Sequence, residues 1–141
     1  MDEPDDLERF VAAQNAGGTY ERALAELRNG HKQSHWMWYV FPQISGLGHS
    51  PTSKAFAISS LEEAKAYLRH PVLGARLVEC TRVVAGTDGA SAEAIFGAID
   101  AMKLRSSMTL FMRATSDEPL FGHVLDRYFG GSPDPATDQL L

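Results

Sequence analysis

Residues 31–53 read HKQSHWMWYVFPQISGLGHSPTS, and the fold turns on how the run Trp36 to Phe41 within them is taken. A continuous aromatic and apolar run of this length suits a buried strand and a buried helix equally, and periodicity does not separate the two. Pro42 stops either one. Gly46 and Gly48 make Ile44 to His49 a loop, and Ser50-Pro51 reads as an N-cap followed by proline in the first helical position. A short helix to about Ile58 follows. The run itself stays open between helix and strand, while the segments on either side of it read as helix.

Upstream, Asp5 or Asp6 can cap a helix to about Asn15, with Leu7, Phe10, Val11 and Gln14 on one face. Gly17-Gly18 ends it, and Thr19 is a cap for a second helix, Tyr20 to Asn29, closed by Gly30. Downstream, Ser60 and Glu63 have the spacing of a capping box, opening a helix that turns Leu61, Ala64, Tyr67 and Leu68 inward. His70-Pro71 breaks the chain, and Pro71 begins a helix to about Ala85 with Leu73, Leu77, Cys80 and Val84 as its buried stripe. Ser91 caps a helix whose apolar side includes Ile95, Phe96, Ile99 and Met102, continuing, bent or broken, from Lys103 to Arg113. A last helix runs from about Pro119 to Phe129 and stops at Gly130-Gly131. No segment alternates as a strand does. The expected fold is all-α: a compact single-domain array of about six to eight helices over 7–130, with a flexible N-terminus at 1–6 and a flexible C-terminal tail at 131–141.

At 141 residues, 44% apolar and 22% charged, the chain has the size and composition of one globular domain with its own core. Its apolar runs fall short of the roughly 20 residues that cross a bilayer, so no membrane partner is expected. The acidic N-terminus lacks the basic and apolar regions of a signal peptide. The single cysteine excludes an internal disulfide, and a cytosolic location is expected. The net charge is −5, but six of the 18 acids lie in residues 1–6 and after Gly131, leaving 12 against 13 Lys and Arg in the body. A neutral body without a basic stripe makes nucleic acid an unlikely partner. Between Leu27 and Leu61 there is no Asp or Glu. Arg28, His31, Lys32, His35, His49 and Lys54 therefore favour a local positive potential suited to a phosphate or carboxylate, unless acids from other helices fold back onto them.

Chemistry concentrates in the same stretch. His31 and His35 resemble half of a zinc-protease motif, but Lys32 stands where the glutamate is needed, so no metal and no cofactor is expected. Trp36 and Trp38 are candidates for stacking an aromatic ring, with His35 or Lys32 to meet a charge; the alternative is that both are core. Gln43, Ser50 and Ser53 are candidate hydrogen-bonding groups, the serines lying at a helix start where unpaired amides favour an anion. A second patch, Lys103 to Thr109, continues the stripe Ile95, Ile99, Met102 onto Ser106 and Thr109, placing hydroxyls where a packed helix would want leucine; they either allow close helix approach or project into a polar pocket. Lys103, Ser106 and Ser107 are its candidate ligand groups. Asp100 and Asp126 are the central acids available for acid/base work, with His35 as a titratable partner. The expected ligand is an anionic or nucleotide-like small molecule held between the two patches; the competing expectation is a non-enzymatic helical interaction module.

The segments GHKQSHWMWYVFPQISGLGHSPTSKAFAISSLEEAKAYLRHPVLGARLVEC and FGAIDAMKLRSSMTLF resemble the domain-of-unknown-function family 1810, sometimes labelled calpastatin in genomes. The resemblance covers about Leu7 to Phe129 and implies an all-helical single domain, with no activity attached. A fainter resemblance, from Met102-Lys103 through Leu110, Ala114-Thr115, Leu120 and Asp126 to Phe129-Gly130, is to a family proposed to act on ADP-ribose and related N-glycosides. The chain departs from that family upstream, where Ser34 precedes His35 in place of a glutamate-histidine pair.

Overall fold

The computed structural model describes residues 6–141, so the expectations for residues 1–5, including a cap at Asp5, lie outside the described residues. The ambiguous run resolves as helix. It forms a single turn, α3 (Met37–Val40), entered from an irregular loop at 31–36 and stopped by Phe41-Pro42. The helices before it are α1 (Glu8–Asn15) and α2 (Thr19–Arg28), joined through a 3₁₀ turn at Ala16–Gly18. After it come α4 (Pro51–Ala55), α5 (Leu61–Arg69), α6 (Leu73–Ala85), α7 (Ala92–Phe96), α8 (Ala98–Ala114), α9 (Leu120–Phe129) and α10 (Pro135–Leu140). Among the described residues no strand forms; one parallel bridge, Ile44 to Ile58, ties the glycine loop to the chain leaving α4. No helix among them is long and apolar enough to cross a membrane.

The expected caps are in place where their chemistry is strongest. Ser50, Ser60 and Ser91 each accept from the backbone N–H three residues on, at the starts of α4, α5 and α7. The Glu63 carboxylate reaches back to the N–H of Ser59, one residue before the position a capping box would use. Asp6 does not cap α1, whose N-cap is Leu7, and Gly18 rather than Thr19 precedes α2.

Helix α8 is the axis of the molecule, packing against α5, α7, α9 and α10, while α6 lies against α2, α5 and α9. Its inward stripe is Ala101, Leu104, Met108 and Phe111, all buried. This corrects the expected continuation from Ile95: Ile99 and Met102 are 73% and 72% exposed. The cause is Gly97, whose φ of +82° separates α7 from α8 and resets the helical phase. An aromatic series, Phe121, Phe111, Tyr67, Phe10, Phe56 and Tyr39, runs through the core with ring centroids 4.8 to 5.9 Å apart. Cys80 is buried within it as expected, and burial pushes its thiol up to about 12, which leaves it protonated and inert.

The residues after Gly131, expected to be a flexible tail, include α10, packed on α8. Asp134 caps it, accepting from Thr137 N–H and Oγ1 and from Ser106 Oγ at 2.6 to 3.2 Å. Arg113 holds Asp138 through two bonds of 3.0 Å, and Arg105 donates to the carbonyls of Ser132 and Pro133. The hydroxyls of Ser106 and Thr109 thus face a polar docking seam; Thr109 Oγ1 accepts from Asp134 N–H at 2.9 Å.

Candidate functional site: a cleft between the central stretch and helix α8

The loop at 31–36 is shaped by Glu26, near the end of α2. Its carboxylate accepts from Gln33 N–H, Ser34 N–H, Ser34 Oγ and Trp36 Nε1 at 2.6 to 3.0 Å. Burial would raise its pKa, but these bonds, led by Ser34 and Gln33, outweigh burial and bring it down from 4.5 to about 2. Trp36 is consequently 1% exposed and belongs to the core, not to a stacking surface. The N–H of Lys32 donates to Ile95 O at 2.8 Å, binding the loop to α7.

Trp38, two residues on, points the other way and is half-buried. It lines a cleft of about 490 Å³ together with Gln43, Leu47 to Ser50, Ser53, Ile99, Met102, Lys103, Arg105 and Ser106, with Asp134 and Ala136 from the last helix and its cap also on the wall. A smaller lobe of about 270 Å³ is lined by Lys32, His35, Trp38, Ser50, Thr52, Asp100 and Lys103 among others. Trp38, Ser50 and Lys103 line both, and the ammonium of Lys103 stands 4.2 Å from the centre of the Trp38 ring. The central stretch and the Lys103 to Ser106 segment therefore face one another.

Electrostatically the cleft is not acid-free. Asp100 lies between Lys32 and Lys103, with carboxylate–ammonium distances of 2.9 and 3.2 Å, so an acid from α8 does fold back onto the basic stretch. Lys32, whose side chain is only 7% exposed, also donates to Ser34 O and stands 5.0 Å over the Trp36 ring. The lining carries Lys32, Lys103 and Arg105 against Asp100 and Asp134, a small positive excess.

Of the candidates, Trp38, Gln43, Ser50, Ser53, Lys103 and Ser106 meet in the larger lobe, and Lys32, His35 and Asp100 in the smaller one. Three do not join them. Trp36 is core; Ser107 is wholly buried with its Oγ unpartnered; Asp126 is exposed on α9 and lines neither lobe. The Ser53 hydroxyl donates to Ser50 O at 2.8 Å, which leaves its lone pairs available. His31 and His35 sit in the irregular loop and not four apart on a helix, and the described residues hold no cluster of three His, Cys, Asp or Glu that could bind a metal. Lining residues not among the candidate ligand groups include Leu47, Ile99, Met102, Asp134 and Ala136, as well as Arg105 within the second patch, and Glu26 supports the loop from outside. Asp134-Pro135 repeats the cap-then-proline signature of Ser50-Pro51 and is the signal for the missing wall.

Fold and cleft define a single all-α domain of small-domain size with a slightly basic cleft walled on one side by Trp38. The chain belongs to the family described as "Protein of unknown function (DUF1810)", whose model matches residues 4–141. Among solved structures, the conserved hypothetical protein Rv1873 from Mycobacterium tuberculosis is similar, at 52% identity over 99% of this chain and 98% of that one, with a TM-score of 0.95. No curated protein matches the chain.

Proposed function

We propose that the protein binds an anionic, nucleotide-like small molecule in the cleft between the central stretch and α8. The observation that carries this reading is the Trp38–Lys103 pair, contributed by the two facing segments, 4.2 Å apart and lining both lobes. An indole beside an ammonium offers a ring surface and a charge within the span of one small ligand, and the volume lies in the ordinary range for such sites, roughly 300–1,000 Å³. The enzymatic form of the reading, cleavage of ADP-ribose or a related N-glycoside, would draw its carboxylate from Asp100, since Asp126 lies elsewhere.

Thermal unfolding with AMP, ADP-ribose and ribose 5-phosphate tests the binding. A saturating ligand at about 100 times its Kd adds ~2.7 kcal/mol and raises the midpoint by several degrees. The shift should vanish in Lys103→Ala, whose own unliganded midpoint is measured alongside and should fall only modestly, since Asp100 keeps its Lys32 partner at 2.9 Å. No shift with any of the three sinks the reading. Free adenine released from AMP would support the N-glycoside form; intact AMP at excess protein would restrict the site to binding.

A second reading, a helical interaction module, has the exposure of Ile99 and Met102 in its favour. Both side chains also line the cleft. Binding of a small molecule that is lost in Met102→Gln would assign them to the ligand.

A further inference from the structure

We propose that Gln43 reads the edge of a planar heterocycle, so that the ligand class is a ring carrying a hydrogen-bond donor and acceptor side by side, as a nucleobase does, and not an arbitrary anion. This rests on the small-molecule reading above and specifies which part of the ligand gives selectivity. Gln43 is 6% exposed as a residue, and its side-chain amide makes no hydrogen bond among the described residues while keeping a residual opening to solvent. Gln14 shows how a comparably buried glutamine is satisfied here: it donates to Tyr39 O at 2.7 Å and Tyr67 Oη at 3.3 Å and accepts from Arg76 at 3.1 Å. Buried amides are ordinarily paired within the protein, and one left unpaired at the wall of a cleft is available to water or to a ligand. The enclosed side-chain oxygens without a hydrogen bond, Glu63 Oε2, which has the Arg9 guanidinium at 3.7 Å, and Ser107 Oγ, line neither lobe of the cleft. Gln43 differs from both in that it lines the cleft, together with a water-sized pocket of about 20 Å³ beside it.

The amide is also held in place. Gln43 O accepts from Ile58 N–H and Ile58 O accepts from Ser45 N–H, both at 2.8 Å, so the backbone on either side is pinned to the chain after α4. Around it, Trp38, Leu47, Ile99 and Met102 supply flat or apolar surface. A primary amide presents one donor and one acceptor in a plane, the complement of a ring nitrogen next to an exocyclic amino group, or of a lactam. A sugar phosphate could satisfy Lys103 but would leave this amide and the apolar walls unused.

Isothermal titration of the wild type with AMP, IMP, UMP, adenosine and ribose 5-phosphate tests the inference, alongside Gln43→Met, which is near-isosteric without hydrogen bonds, and Gln43→Glu, which removes the donor. At least one of the three nucleotides should bind ten times or more tighter than ribose 5-phosphate. Gln43→Met should weaken that nucleotide by about tenfold to a hundredfold, the penalty for losing a paired ring edge, while leaving ribose 5-phosphate unchanged. Unliganded unfolding midpoints of both variants identify any loss that comes from misfolding, and Gln43→Glu then serves as the reading variant. Nucleotides and ribose 5-phosphate binding equally would overturn the ring inference while leaving the anion site standing. Adenosine binding without ribose 5-phosphate would do the reverse, and no heat from any probe overturns both.

Discussion

Glu26 illustrates how one residue can set the geometry of a loop it does not belong to. Its four incoming hydrogen bonds fix residues 33 to 36, and replacing it with alanine orphans all four donors. Glu26→Ala should destabilise the protein by roughly 2–4 kcal/mol in urea unfolding. The same carboxylate makes stability depend on pH. Its folded pKa of about 2 lies below the ordinary 4.5, so its contribution is complete above the unfolded value and is lost as pH falls towards the folded one. Wild type should therefore lose about 2–3 kcal/mol more than Glu26→Gln between roughly pH 5 and pH 2. Parallel curves for the two would refute the assignment. At Gly48 the constraint is space. A Cβ there would lie 2.5 Å from the Cβ and Oγ of Ser53 and 3.3 Å from the Trp38 ring. Gly48→Ala should cost about 1–3 kcal/mol by overpacking and should shift the fluorescence of Trp38, since the wall of the cleft must move.

At the scale of elements, α10 and α8 show opposite ways for a sequence pattern to mislead. The tail after Gly131 is polar and short, and its helix is held by Asp134, Arg113 and Arg105 together with a single wholly buried side chain, Thr137. Such a helix leaves little hydrophobic periodicity to read. Asp134→Ala removes its cap and should raise amide exchange across 136–140 by about tenfold or more, while α8 and α9 keep their protection. Unchanged exchange would mean the helix is held by something other than its polar seam. In α8 the misleading pattern is apolar: Ile95, Ile99 and Met102 have helical spacing, but Gly97 lies within it and turns the second and third outward. Ser106 is buried as expected for a different reason, because α10 covers it.

For the whole molecule the core is one continuous body, and Phe111 on α8 sits where α5 and α9 meet it, touching Tyr67 and Phe121 at centroid distances of 5.3 and 5.9 Å. Phe111→Ala should cost about 3–5 kcal/mol, and Ile99→Ser less than about 0.5 kcal/mol, both measured by chemical denaturation. That contrast follows from burial alone, since both positions are large apolar residues on the same helix. By itself the sequence determined the all-α class, most helix boundaries and the serine caps, because helical spacing and N-cap chemistry are local properties of a few neighbouring residues. It also localised the central stretch and the Lys103 segment. Only the tertiary structure decided that Trp36 is core and Trp38 is not, that Asp100 reaches the basic loop while Asp126 does not, and that the last helix contributes to the wall of the cleft. Each of those depends on which residues meet across more than ten positions of chain, and such meetings are set by packing of whole helices, which no local pattern encodes.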